Sequence, residues 1–246
     1  MNFLFKFPSR GRPQRFKEVL IKHLDHFSGK HNYKFIFSFD NDDSTMNNDE
    51  IVNFINDLKI NHEIFFGDNK SKIEAYNANL ENQIFDVLIL LQDDLLPELK
   101  NYDDIISDIF INSPYGLDCV IHFNTKRWCQ LLNIWNIIGK KYYDRFNYIY
   151  YPGYKSISCD NEFTEVSKML NRSIWSSLEP FDHDWVGGDD TEKKNWYFNA
   201  DDDRLFWERR KINYGLSNND IVYFFDNWDS IIPTNGDGKI LKLYEW

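Results

Sequence analysis

The chain has 246 residues, 42% of them hydrophobic and 17% aromatic, with a formal net charge of -11. That length suffices for one large α/β domain or two small ones, and the apolar content for a substantial core. The charge argues against a broad, non-specific grip on nucleic acid, which needs a basic surface, although it leaves room for a local basic site. Cys119, Cys129 and Cys159 are odd in number and have no metal-ligand spacing, so they read as reduced thiols of a cytoplasmic protein. Residues 1–8 are too short and too interrupted for a signal peptide, and no apolar run approaches the roughly 20 residues of a membrane span.

Residues 3–7 form a short apolar strand that runs into Pro8-Ser9-Arg10-Gly11-Arg12-Pro13. Small, flexible and basic residues directly after a first strand make an anion-facing loop, where backbone donors and guanidinium forks both reach a ligand. Residues 14–27 carry Phe16, Val19, Leu20, Leu24 and Phe27 on one helical face. A second strand, 33–39, ends in Asp40-Asn41-Asp42-Asp43-Ser44. A helix over 49–58, a strand over 62–66, the turn Gly67-Asp68-Asn69 and a helix over 70–80 follow. The alternation of strand and helix predicts right-handed crossovers and a mostly parallel sheet. Neither the dinucleotide fingerprint GxGxxG nor the P-loop pattern occurs.

The central signal is Val87-Leu88-Ile89-Leu90-Leu91 followed by Gln92-Asp93-Asp94. A short unbroken apolar run reads as a strand buried on both faces, and ligands of such sheets bind beyond the carboxyl ends of the strands. Adjacent carboxylates repel unless a cation or a donor array lies between them. Magnesium or manganese, which take oxygen ligands and share them with substrate phosphates, would serve. A solvated loop whose acids cap the next turn would carry the same pair. Further on come a helix over 102–111, a strand over 117–123, and a region crowded with aromatics, among them Trp128, Trp135, Tyr150 and Tyr154. Asp160 can cap a helix beginning near Cys159, with Glu162 and Glu165 in its first turn; one of these acids can instead face the cleft as a general base. His183, between Asp182 and Asp184 and just before Gly187-Gly188, is a candidate metal ligand. A basic helix over 201–214 and a turn-rich tail, clearest at 235–238, complete the chain.

Taken in order, FPSRGRP, SFDNDDS, GDNKSKIEAYNANL, DVLILLQDDLLP and the CDNEFTEV and DHDW strings resemble the GT-A fold glycosyltransferases of the family-2 type, particularly small members from viral and environmental sequences. The resemblance runs from residue 3 to about 214. It implies a single GT-A-like α/β domain over 1–246, a Rossmann-like, mostly parallel sheet flanked by helices. Its nucleotide-sugar-binding half would be 1–125 and its more irregular, aromatic-rich acceptor-side half 126–246. The metal-binding DXD motif of the family falls on Gln92-Asp93-Asp94, with Gln in place of its first acid. The resemblance makes Asp94 and His183 ligands of Mn2+ or Mg2+. It places Pro8, Ser9, Arg10, Arg12, Asp40, Asp68, Lys72, Gln92 and Asp93 around a nucleotide-sugar donor of the UDP type, and Asp160 or Glu162, with Asp160 preferred, as the base of an inverting, hexosyltransferase-like reaction. The expected acceptor is a glycan; a hydroxymethylated DNA base is an alternative, as are a nucleotidyltransferase and a non-catalytic nucleotide- or sugar-binding protein. The expected location is cytoplasmic, or host cytoplasm for a viral protein.

Overall fold

The computed structural model describes residues 1–125, 131–184, 193 and 196–223. Trp128, Cys129, the Gly187-Gly188 pair and the expected turn at 235–238 lie outside them. The first half follows the expected alternation: β1 (Asn2–Pro8), α1 (Pro13–His26), β2 (Asn32–Asp40), α2 (Asp49–Asp57), β3 (His62–Gly67), α3 (Lys72–Asn77) and β4 (Val87–Leu90). The short β5 (Leu95–Pro97), α4 (Tyr102–Asn112), β6 (Val120–Phe123), β7 (Ile137–Gly139) and α5 (Lys140–Tyr143) follow. Then come α6 (Cys159–Met169), β8 (Ser173–Ser176), β9 (Phe181–His183) and α7 (Asn199–Lys211). Among the described residues no helix is long and apolar enough to cross a membrane.

Seven strands form the main sheet in the order β3-β2-β1-β4-β7-β6-β8. The pairs β1/β2, β1/β4, β2/β3 and β6/β8 are parallel, while β7 runs antiparallel to both β4 and β6. The strands are apolar on both faces because helices cover both. Phe3, Phe5 and Phe7 of β1 and Val87 and Ile89 of β4 pack on one side with Phe16, Val19 and Leu20 of α1 and Ile106 of α4. Leu4 of β1 and Leu88 and Leu90 of β4 face the other side, with Ile73 of α3, Phe163 and Val166 of α6 and Phe206 of α7. Each such side chain contributes ~1.5–3 kcal/mol by leaving water, and the polar exception on β1, the fully buried Lys6, donates to Ser38 Oγ and to the Ala78 carbonyl.

Two structural details depart from the expected pattern. The helix expected over 70–80 is one short element, because Ser71 caps its start by accepting from the Glu74 N–H and Ala78 leaves the helical region. Asp160 does not cap α6. Ser158 holds the N-cap position with φ +60°, and Asp160 lies in the first turn.

His23 of α1 is fully buried between the Tyr102 hydroxyl, 2.8 Å from Nδ1, and the Leu95 carbonyl, 3.0 Å from Nε2. Burial pushes its pKa down to about 3 despite the bond to Leu95. The unfolded chain therefore binds one more proton than the native one between the ordinary histidine value and about 3. Stability should fall on acidification below about pH 6.5, by about 1.4 kcal/mol per pH unit from this group. Urea unfolding at successive pH values checks this, and His23→Gln should flatten the slope.

Candidate active site

The carboxyl ends of β1, β2 and β4 open onto a cleft of about 600 Å³. Its first wall is the loop after β1. Gly11 has φ +73°, a conformation that favours glycine, and its N–H donates to the Asp43 carboxylate at 2.7 Å. This folds Ser9 and Arg10 back over the sheet. Ser9 Oγ donates to both carboxylate oxygens of Asp93, at 2.9 and 3.1 Å. Arg10 donates to Asp40 at 2.7 Å and to both oxygens of Asp42 at 2.6 and 2.9 Å. The other oxygen of Asp40 accepts from Asn69 Nδ2 at 2.9 Å. Asp40 is thus an acceptor flanked by two donors at the cleft edge.

The floor is the Gln92-Asp93-Asp94 turn after β4. Gln92 Oε1 accepts from the Tyr76 hydroxyl at 3.1 Å. Burial pushes the Asp93 carboxyl up to about 7, against the Ser9 hydrogen bond and the Arg12 charge. Asp94 behaves oppositely: burial would raise it, but the His183 ring and Arg12 outweigh that and hold it below the usual carboxylate range. The pairing of β5 with β9 sets this contact. Leu95 registers with His183 across an antiparallel pair, and His183 Nε2 lies 3.2 Å from Asp94 Oδ2. The Asp184 N–H donates to the Asp94 carbonyl at 3.0 Å. Arg15, one turn into α1, donates to the Asp93 carbonyl at 2.9 Å and pairs with the Asp184 carboxylate.

The far wall comes from the second half of the chain. Trp135, Tyr150, Ser156 and Asp160 line it, with Trp196 and Phe198 just ahead of α7. Lys72 at the start of α3 also lines the cleft. Burial raises the Asp160 carboxyl, and the charge of Lys72 opposes that rise.

All but two of the residues expected at the site meet on these walls: Pro8, Ser9, Arg10, Arg12, Asp40, Lys72, Gln92, Asp93, Asp94, Asp160 and His183. Glu162 does not line the cleft. It lies behind it, 6% exposed, accepting from Arg209 Nε and Nη2 at 2.7 Å each and from the Tyr154 hydroxyl at 2.8 Å. Two residues along a helix is a turn of about 200°, so Asp160 and Glu162 face opposite ways. Asp68 is exposed and accepts from Asn41 at 2.8 Å; its neighbour Asn69 takes the place on the wall. Arg15, Tyr76, Trp135, Tyr150, Trp196 and Phe198 were not singled out as site residues by sequence, and only the aromatic crowding pointed toward some of them.

Asp94 and His183 suit a divalent cation: an ionised carboxylate oxygen and an imidazole nitrogen already within a shared coordination distance. One carboxylate and one imidazole are few protein ligands, which fits a cation that takes the rest from substrate phosphates. Among the described residues, the cluster offering three ligand atoms together is His31, Asp103 and Asp104. His31 directly precedes β2, at the opposite end of the strands from the cleft, and Asp103 and Asp104 already bond Ser28, Tyr33 and Lys30.

No family model matches the sequence, and no curated protein matches it. Solved structures do. The mannosyltransferase PcManGT from Pyrobaculum calidifontis, in complex with GDP-Man and Mn2+, superposes with a TM-score of 0.61 at 9% identity, over 85% of this chain and 64% of that one. S. aureus TarS 1–349 in complex with UDP-GlcNAc gives 0.57 at 12% identity, over 89% and 74%. GalNAc-T7 with UDP, GalNAc and Mn2+ gives 0.57 at 10% identity, over 88% and 52%. The fold is GT-A. In another comparison with TarS 1–349 the chain spans 60% of that protein's length, so the GT-A likeness covers a part of these neighbours and fixes architecture alone.

Proposed function

We propose that this chain is a metal-dependent glycosyltransferase of the family-2 type that moves a sugar from a nucleoside diphosphate to an acceptor hydroxyl, with inversion. The observation that carries the reading is the division of the cleft: the Asp94–His183 pair on one side, and the carboxyl of Asp160 on the other. In this reading residues 1–125 hold the donor and the rest of the chain forms the acceptor side. The donor is of the UDP type. Asp40, its carboxylate held at the cleft edge by Arg10 and Asn69, would accept the uracil N–H. Gln92, its carbonyl turned to Tyr76, leaves its amide N–H groups to donate to donor oxygens and is not a metal ligand.

A cation held by Asp94 and His183 would supply charge stabilisation to the leaving diphosphate. Ser9 orients Asp93, and Arg12 and Lys72 add positive charge around the phosphates. Asp160 takes the proton of the acceptor hydroxyl as its oxygen attacks the anomeric carbon. The bond to the diphosphate breaks on the opposite face, through an oxocarbenium-like transition state. A single displacement inverts the centre.

For the acceptor, a carbohydrate is favoured over a hydroxymethylated DNA base. Trp196, with 62% of its surface exposed, and Phe198 line the acceptor side, and a flat ring near a carboxylate suits a sugar face better than a phosphate. Incubation with UDP-sugars, Mn2+ and an oligosaccharide panel tests the reading, with products resolved by NMR. Release of a nucleoside diphosphate with an inverted glycoside is the expected result. Pyrophosphate release would identify a nucleotidyltransferase, retained configuration would exclude a single displacement, and nucleotide binding without turnover would leave a binding protein.

A further inference from the structure

The base of this reading lies in the first turn of α6, directly after a loop that has little regular structure of its own. Residues 151–158 connect the aromatic region to α6 without helix or strand, and Ser158, which begins α6, holds the left-handed φ of +60°. A non-glycine residue keeps that conformation only where its surroundings impose it. The loop just ahead of it is held from another element. Asp202, in the first turn of α7 and 2% exposed, turns its carboxylate into the loop. One oxygen accepts the Lys155 N–H at 3.0 Å, and the other accepts the N–H groups of Ser156 at 2.6 Å and Ile157 at 2.9 Å. Ser158 Oγ donates to the adjacent Asp203 at 2.6 Å. Three backbone donors on one buried carboxylate are strong, charge-assisted bonds. Ser156, Ile157, Cys159 and Asp160 are cleft wall.

Resting on the reading of Asp160 as the base, we propose that Asp202 is a positioning residue for the reaction. It fixes the loop that aims Asp160, and through α7 it ties the base to the acceptor side. Trp196 and Phe198, which line the acceptor wall, lie just ahead of the helix whose first turn holds Asp202. Two buried ion pairs, Arg209 with Glu162 and Arg210 with Glu165 at 3.1 Å, fasten the rest of α7 to α6. The base helix and the acceptor-side helix therefore form one unit, and the Asp202 carboxylate sets its register at the cleft. Apart from the Lys155 ammonium, which donates to Glu74 of α3 at 2.7 Å, these contacts stay within the second half of the chain, so losing the clamp should change turnover and largely spare nucleotide binding.

The test is Asp202→Asn, read by hydrogen exchange and by kinetics in parallel. The asparagine keeps the size of the side chain and removes the charge and one acceptor. Amides 155–157 should exchange faster by about tenfold or more, with β4 unchanged. The dissociation constant for UDP with Mn2+ and the donor KM should stay within about twofold, and kcat should fall about 100-fold, the cost of a misplaced catalytic group. Asp202→Glu, which retains the carboxylate one methylene further out, should recover part of kcat, and it carries the same comparison if the asparagine variant does not fold. Faster loop exchange with unchanged kcat overturns the proposal, as does an equal loss of kcat and nucleotide affinity, which would mean a general structural role. Unchanged loop exchange also overturns it. If the wild type binds nucleotide and turns over no nucleotide-sugar, the transferase reading fails first, and the role assigned to Asp202 falls with it.

Discussion

Asp160→Asn should lower kcat by about three orders of magnitude and leave nucleotide affinity in place, because general-base catalysis contributes ~10²–10⁴-fold and the donor contacts lie on the other wall. The asparagine keeps the acceptor oxygen for the Asn161 N–H, which the aspartate holds at 3.0 Å, so the loss would be chemical. The rate should also report the environment of this carboxyl. A base works deprotonated, and burial raises the Asp160 carboxyl against the opposing charge of Lys72. The acidic limb of the pH–rate profile should therefore lie above the ordinary aspartate value of about 3.9, and Lys72→Met should move it further toward neutral. Initial rates across pH at saturating substrate measure both effects. A larger loss of kcat in a folded Glu162→Gln than in Asp160→Asn would transfer the role to Glu162.

Arg209→Ala should cost about 3–5 kcal/mol of stability, because it leaves the Glu162 carboxylate buried without its countercharge. The arginine gives Glu162 two parallel bonds, donates a third to the Tyr214 carbonyl at 2.9 Å, and lies over the Tyr151 ring with its guanidinium carbon 3.3 Å from the ring centre. Tyr154 alone would then hold a carboxylate that is 6% exposed. Replacing both partners, as Glu162→Leu with Arg209→Leu, should recover most of the loss, since the desolvation cost of the pair disappears with its charges. Urea unfolding of the single and double variants gives the comparison. A loss below about 1 kcal/mol in Arg209→Ala would place the pair among ordinary surface bridges.

The legible parts of this chain were those where one signal dominates. An unbroken apolar run stopping at two carboxylates marked β4 and the floor of the cleft, and a basic, glycine-containing loop after β1 marked its first wall. Of the strands that complete the sheet, β6 was legible as the run 117–123, but β7 was not, for reasons of length. Ile137–Gly139 is three residues, too short for a period to emerge, yet it joins β4 to β6. Its Gly139 lies so close to the Leu117 carbonyl that a Cβ there would sit 2.3 Å from the oxygen, a requirement no local pattern announces. The β5–β9 pair that delivers His183 to Asp94 is equally short, and its partners are far apart in sequence. Choosing between Asp160 and Glu162 needed only the start of α6, since helical geometry then turns them apart. Choosing Asn69 over Asp68 needed the exact end of β3, and element ends are the least readable feature of a sequence. Asp202 was invisible because its bonds to the amides of 155–157 join elements some 45 residues apart.

The most direct test of the central claim is thermal unfolding of the wild type and Asp94→Ala with UDP and a panel of UDP-sugars, each with Mn2+ and with chelator. A ligand that binds the native state alone stabilises it by about 2.7 kcal/mol at a hundredfold excess over its dissociation constant. The wild type should shift only when nucleotide and metal are both present, the shift should vanish in Asp94→Ala, and the sugar giving the largest shift would name the donor. A shift that survives chelation and the loss of Asp94 would contradict a metal–diphosphate site. No shift with any nucleotide would contradict the glycosyltransferase reading itself.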